Sequence, residues 1–513
     1  MKKHTLLTFA LAVLLSGCGA LHKPVPPLSP DQEAELAKHV ISIDRDGKLK
    51  HCNENSEYTT KYIACQQKYF QEITDGIKDF KKKRSEKETE VLLFVHGGLN
   101  KPDESMERAL KKYHFIEDKW IYPIFVIWDS RGPSSYKEHL WSIRHGEKDG
   151  LAKYTSPIYL LTDIGNSIVN APKAWFVTGD HLFDSTNQNI KEKSKEIVKE
   201  IDEIKEKEPL LNIVYHPTDE DKKHDSRVQQ WLGNPNKSSR SFYWLFTSPA
   251  KVVTAPFAYT MAKPAWDIML RRTDTLFYTP CDLDGDRYAD CKKNSEKTSQ
   301  IPKWGAVGNS AIESKLGSGA LSVFLQHLER EPDMRITLIG HSMGAIVVNK
   351  IILMKPNLPY KNIVHLASAD SVNHVLDIII PYLNYALQKR QGKFKDVQFY
   401  SLMLHPDNED RESAYKGLVP SGSLLTWIDE MYTTPETVMN RRSGRWDNIR
   451  KTMPLIPNTV AGNMHFKIFG TDSKQDKKKE ECKDKEDCPC PVTVPQKHGD
   501  FDDMCFWDEA KWK

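Results

Sequence analysis

The chain has 513 residues and a net charge of +3, which falls to +1 once Lys2 and Lys3 of an N-terminal leader are set aside. That balance excludes the electrostatic footprint of a nucleic-acid-binding protein. Hydrophobic residues make up 39% and charged ones 28%, with mean hydropathy −0.57, which suits one large elaborated globular domain or two or three ordinary ones with much solvated surface.

Residues 1–18 read as a targeting segment. Lys2 and Lys3 precede an apolar run, Leu6 to Leu15, too short to span a bilayer. Leu15-Ser16-Gly17-Cys18 resembles a bacterial lipobox. The resemblance implies that Cys18 becomes the acylated N-terminus. Because Gly19 rather than Asp follows it, the resemblance also implies outer-membrane sorting in a Gram-negative envelope, with the lipid as the membrane anchor. An ordinary cleaved secretory signal is the alternative.

A Pro-rich tether follows over 19–35, with Pro24, Pro26, Pro27 and Pro30. Residues 36–130 hold N-terminal helices and the first half of a core. Helical patterns run from Asp31 to Val40 and from Tyr58 to Phe80, and Val91–Val95 and Ile121–Trp128 read as buried strands. Residues 131–310 form a long, mainly helical insertion or cap. It includes a helix around Ile190–Lys207, with Ile190, Ile197, Ile201 and Ile204 on one face, and the aromatic stretch Phe242–Phe246. Residues 311–513 supply the second half of the core. An amphipathic helix over 316–330 is followed by strands Ile336–Ile339, Asn362–Ala369, Val397–Leu404 and Met464–Phe469, with a helix near Val372–Leu387. Strands alternating with helices predict an α/β fold whose mostly parallel sheet is flanked by helices on both faces.

Eight cysteines remain besides Cys18. An even count in an exported chain predicts disulfides, and local clustering favours Cys52–Cys65, Cys281–Cys291 and two bridges within the C-terminal group. Cys482, Cys488, Cys490 and His498 are an alternative zinc set.

The chemistry concentrates at Gly340-His341-Ser342-Met343-Gly344, a G-x-S-x-G turn between an apolar strand and an apolar helix. Two glycines let strand and helix approach closely, so the turn strains Ser342 and projects its hydroxyl above the sheet. With His96-Gly97-Gly98 after an early strand and His498 after the last one, the chain resembles the α/β-hydrolase fold over roughly 88–130 and 311–505.

That resemblance implies a serine hydrolase in which Ser342 is the nucleophile and His498 the base. The acid is Asp370 or Asp407, more distantly Asp410. The oxyanion donors are the backbone N–H groups of Gly98 and Met343. Of the five histidines after Ser342, His365 and His465 lie in strands, His374 in a helix and His405 directly after a strand. The implied activity is cleavage of a carboxylic ester, with a lipid as a substrate suited to membrane anchoring. An acyltransferase using the same acyl-enzyme, and a non-enzymatic envelope binding protein, are the rival readings. Catalysis of this kind needs no cofactor. A separate acidic loop within 281–291 places Asp282, Asp284, Asp286 and Asp290, with the Tyr288 carbonyl, as a candidate structural calcium site.

Overall fold

A computed structural model describes residues 29–52, 60–84, 88–98, 100, 102–144, 147–175, 190–217, 255–256, 260, 262–279, 319–331, 333–389, 396–412, 422–433, 435–472, 482 and 488–513. Cys18, most of the tether, the aromatic stretch 242–246, the acidic loop 281–291 and Leu99 lie outside the described residues.

In the first part of the chain, α1 (Pro30–Leu36) and β1 (Val40–Ile43) lead to α2 (Thr60–Arg84), β2 (Thr89–Val95), α3 (Pro102–Glu117) and β3 (Ile121–Trp128). Next come α4 (Gly132–Trp141), a two-strand ribbon of β4 (Ile143–Arg144) and β5 (Glu147–Lys148), α5 (Ala152–Val169), α6 (Ile190–Lys207) and β6 (Asn212–His216). The last part holds α7 (Ala320–Glu329), β7 (Met334–His341), α8 (Gly344–Met354), β8 (Tyr360–Leu366), α9 (Ile380–Lys389), β9 (Gln398–Leu404) and β10 (Met464–Phe469).

Eight strands form one sheet in the order β1-β3-β2-β7-β8-β9-β10-β6. Every pairing in it is parallel. Parallel strands need covered faces, and the inner ones accordingly read as continuous apolar runs. Val91 to Val95, Ile336, Leu338, Ile339, Ile363 and Val364 are all buried. The fold is therefore α/β, and β7 lies in the interior of the sheet with β2 and β8 beside it.

Two sequence expectations change. The helix read over Asp31–Val40 stops at Leu36. Its start lies inside the expected tether, where Ser29 and Gln32 form a reciprocal capping box. Val40-Ile-Ser-Ile43 then runs as a strand, as β-branched residues prefer. The helix near Val372–Leu387 is interrupted by a π-helical turn at Val375–Ile379 before α9. Described residues from the stretch between β3 and β7 also take part in the core. β6 pairs along the whole outer edge of β10, and Trp266, Met269, Leu276 and Phe277 from helical residues 262–275 and the turn after them join the main core.

Cys52–Cys65, Cys482–Cys488 and Cys490–Cys505 are disulfides, so the C-terminal cysteines do not form the alternative zinc set. The last segment packs onto the sheet through Phe506, stacked on Phe94 at 4.1 Å, and Trp512 beside Tyr400. Among the described residues, no helix is long and apolar enough to cross a membrane.

Candidate functional site

The turn after β7 has the geometry its glycines suggest. Ser342 sits at φ +54°, a left-handed conformation that costs a non-glycine residue roughly 1–2 kcal/mol. Its N–H donates to Leu366 O at 2.8 Å, and its carbonyl accepts from Ala345 N at 3.1 Å and Ala369 N at 3.0 Å. These bonds hold the turn between β7, α8 and the end of β8. A Cβ on Gly344 would stand 2.2 Å from the Val95 carbonyl oxygen, so only glycine allows α8 to start there. Ala367, at the end of the neighbouring strand, also has a positive φ, +41°. Two strained residues side by side at one sheet edge mark it as a candidate site.

Ser342 is fully buried and its Oγ has no hydrogen-bond partner. The His96–Gly98 segment lies over it: a Cβ on Gly97 would be 2.8 Å from the Ser342 Cβ, and one on Gly98 would be 2.6 Å from the Met343 Sδ. Among the described residues, neither the Gly98 nor the Met343 N–H donates a hydrogen bond. Met343 immediately precedes α8, so its amide stands at a helix N-terminus, where negative charge is favoured.

His498 opens a short 3-10 turn, His498–Asp502. Its N–H donates to Glu412 Oε2 at 2.8 Å, and its carbonyl oxygen lies 3.0 Å from His341 Nε2, which must therefore donate. The imidazole is buried, and neither ring nitrogen has a partner. Burial, and secondarily His341, depress its pKa to about 3, while Asp502 acts in the opposite sense. A neutral ring is the form able to take a proton. The His341 and His498 ring centroids are 5.1 Å apart, but no hydrogen bond joins His498 to Ser342 or to either candidate acid.

Asp370 is brought to His374 instead. The His374 Nδ1 is 2.5 Å from its Oδ1, Asn349 donates to its Oδ2 at 2.6 Å, and the Ser371 N–H reaches it at 2.8 Å. Burial alone would raise this carboxyl, but the His374 pair and these donors outweigh it and bring it to about 2. Asp370 and His374 help line a cavity of about 550 Å³ with Ile346, Lys350, Ser371 and Arg442, and Ser342 does not line it.

Asp407 is buried in the first turn of a short helix after β9, Pro406–Arg411, and neither carboxylate oxygen has a hydrogen bond. Arg411 approaches it at 3.6 Å. That helix and its C-cap touch the His498 segment, through Asn408 Nδ2 to Gln496 Oε1 at 3.1 Å and through Glu412 to His498. Asp410 lies 3.3 Å from Arg445.

Sequence reasoning missed Asp502 and Glu412. Asp502 Oδ1 is 2.8 Å from His341 Nδ1, an ion-pair distance that is off line for a hydrogen bond, and its Oδ2 accepts from Arg108 and Asn100. Burial opposes its charge, but His341 and Arg108 hold it well below the usual carboxylate range. Burial lifts Glu412 to about 7 against the His498 N–H bond. The only sequence cue for either was proximity to a motif or loop already singled out.

No group of three or more His, Cys, Asp or Glu side chains that could hold a metal occurs among the described residues. Comparison with protein-family models, curated proteins and solved structures finds no match to the chain.

Proposed function

We propose that this chain is a serine hydrolase of the α/β-hydrolase type, anchored to the outer membrane through a lipid on Cys18, that cleaves carboxylic esters. The observation that carries the reading is Ser342 at positive φ, in a strand–turn–helix whose glycines admit no side chain. The strand order β3-β2-β7-β8-β9-β10, with the turn after β7, supports it.

In this mechanism His498 takes the Ser342 proton as Oγ attacks the ester carbonyl. The Gly98 and Met343 amides stabilise the oxyanion. His498 returns the proton to the leaving alcohol, and water then releases the acyl group by the same route. Asp407 is the acid we favour, because its oxygens accept no hydrogen bond and its helix meets the His498 segment, whereas Asp370 is engaged by His374. Glycerolipid or other membrane esters are the proposed substrates. Calcium on the 281–291 loop would be structural and outside the chemistry.

A second reading, a binding protein on a hydrolase-like scaffold, is favoured by one fact: Ser342 has no exposed surface. Fluorophosphonate labelling of the purified protein beside Ser342→Ala, with and without detergent and calcium, separates the two. Labelling of the parent alone supports the hydrolase. No labelling under any of these conditions supports the binding protein.

A further inference from the structure

Helix α5 is inside out. Beside Lys153, Thr162 and Asn166, its exposed residues are apolar: Ile158, Leu161 and Ile168 are 65%, 68% and 69% exposed, with Leu151, Tyr154 and Val169 as open or more so. Its buried residues are small or polar: Ala152, Ser156, Asp163 and Ser167. The helix is held to α4 by that polar side. Tyr136 Oη donates to Asp163 Oδ2 at 2.8 Å, His139 Nε2 lies 3.6 Å from the same oxygen, and Ser156 Oγ donates to the Leu140 carbonyl. Leu151, Tyr154, Ile158, Leu161 and Ile168 fall on one face at helical spacing, so their apolar side chains form a stripe with a gap only at Gly165. An apolar stripe this long, turned outward, marks an interaction surface.

We infer that this stripe rests on a lipid bilayer, with α5 lying in the plane of the headgroups. Between Leu151 and Trp175 the charged residues are Lys153 and Lys173, both exposed, and Asp163, which is buried. Trp141 and Trp175, each about half exposed, stand beyond the two ends of the helix. An apolar stripe with aromatic ends, outward lysines and no outward carboxylate matches an interfacial helix on an anionic surface. A second copy packed on the same face would bring no outward carboxylate to Lys153, because the one acid between Leu151 and Trp175, Asp163, is buried. The helix is not apolar enough to cross the bilayer, so it lies along it.

The placement brings the membrane to the candidate site. α4 begins just after β3, at the carboxyl edge of the sheet. Ser130 in the connection donates to the Gly97 carbonyl at 3.2 Å, and Gly97 lies against Ser342. Arg272 ties Glu138 of α4 at 2.6 Å to the same end. The inference does not depend on Ser342 being active, and a lipid on Cys18 would only raise the local concentration of membrane.

The test places an environment-sensitive fluorophore on Leu161→Cys in the full chain, with Lys82→Cys on the exposed part of α2 as the control position. Phosphatidylethanolamine–phosphatidylglycerol vesicles should raise emission several-fold and shift it to the blue at 161 and not at 82. Adding Ile158→Glu, an exposed change that leaves the fold intact by circular dichroism, should abolish the rise. Binding through the N-terminus alone leaves the dye at 161 unchanged, and that result overturns the inference. A rise that survives Ile158→Glu also overturns it. So does a blue shift that needs no vesicles and grows with protein concentration, which would identify a second copy as the occupant.

Discussion

Asp502 ties the candidate site to the body of the fold, so replacing it by alanine tests both. Its Oδ2 accepts from Arg108 Nη1 at 2.8 Å and Asn100 Nδ2 at 3.2 Å, and its Oδ1 lies 2.8 Å from His341 Nδ1. Asp502→Ala removes one charge-assisted bond worth roughly 1.5–3 kcal/mol and one neutral bond worth about 1 kcal/mol. It also removes the carboxylate beside the buried His341 Nδ1. Arg108 is a quarter exposed and regains water, so a loss of about 3 kcal/mol is expected. Asp502→Asn, which keeps an acceptor for Arg108, should lose about half of that. The pH dependence has a definite sign. The folded carboxyl lies below its ordinary value, so its contribution is complete above a pH of about 4 and lost as the pH falls through the folded value. Urea unfolding followed by fluorescence should show a parent–variant gap that is constant from about pH 8 to 5 and narrows below about 4. His341 also holds the His498 carbonyl at 3.0 Å, so fluorophosphonate labelling should slow in the variant. A gap under about 0.5 kcal/mol at pH 7, or one that widens in acid, would refute the reasoning.

Other outcomes follow from the same geometry. Gly344→Ala drives a Cβ to 2.2 Å from the Val95 carbonyl and should cost about 1–3 kcal/mol or more by thermal melting, while Gly462→Ala, with open space around it, should change little. Glu412→Gln should stabilise the protein at pH 8 by on the order of 1–3 kcal/mol and hardly at all at pH 4. Its raised folded value, about 7, makes the charged form the penalised one, and the penalty grows as the pH rises from the ordinary value through 7. If Asp407 is the acid, Asp407→Asn should slow labelling or ester turnover on the order of ten-thousandfold, and Asp370→Asn should instead cost mainly stability; the reverse pattern assigns the role to Asp370.

How far the sequence could be read depended on how local each cause is. Ile121–Trp128 and Met464–Phe469 are unbroken apolar runs, and the structure has strands at those positions. β1 was hidden because four β-branched and polar residues follow closely on a capped helix. β6 was hidden because it is an edge strand in which Ile213 alone is fully buried, so period-2 alternation never becomes visible. For α5 the hidden feature is its orientation: apolar residues at helical spacing mark a stripe, but the spacing does not say that the stripe faces out and the polar side is buried. Asp502 meets partners 394 and 402 residues away, and nothing local encodes such a contact.

The serine itself is where fold and function can be separated. A strand-to-helix turn at positive φ is easiest for glycine, and asparagine also tolerates it. Ser342 accepts that strain and also buries a hydroxyl with no hydrogen-bond partner, which costs roughly 1–3 kcal/mol. Both penalties vanish with glycine at this position, and Gly340 and Gly344 already provide the close packing of β7 against α8. The turn therefore does not need the hydroxyl. A nucleophile does need it, beside the unpaired amides of Gly98 and Met343 and on the same sheet edge as the neutral ring of His498. Stability alone favours another residue at 342, and that conflict between local cost and apparent purpose is what functional sites show when a sequence is otherwise consistent with its fold.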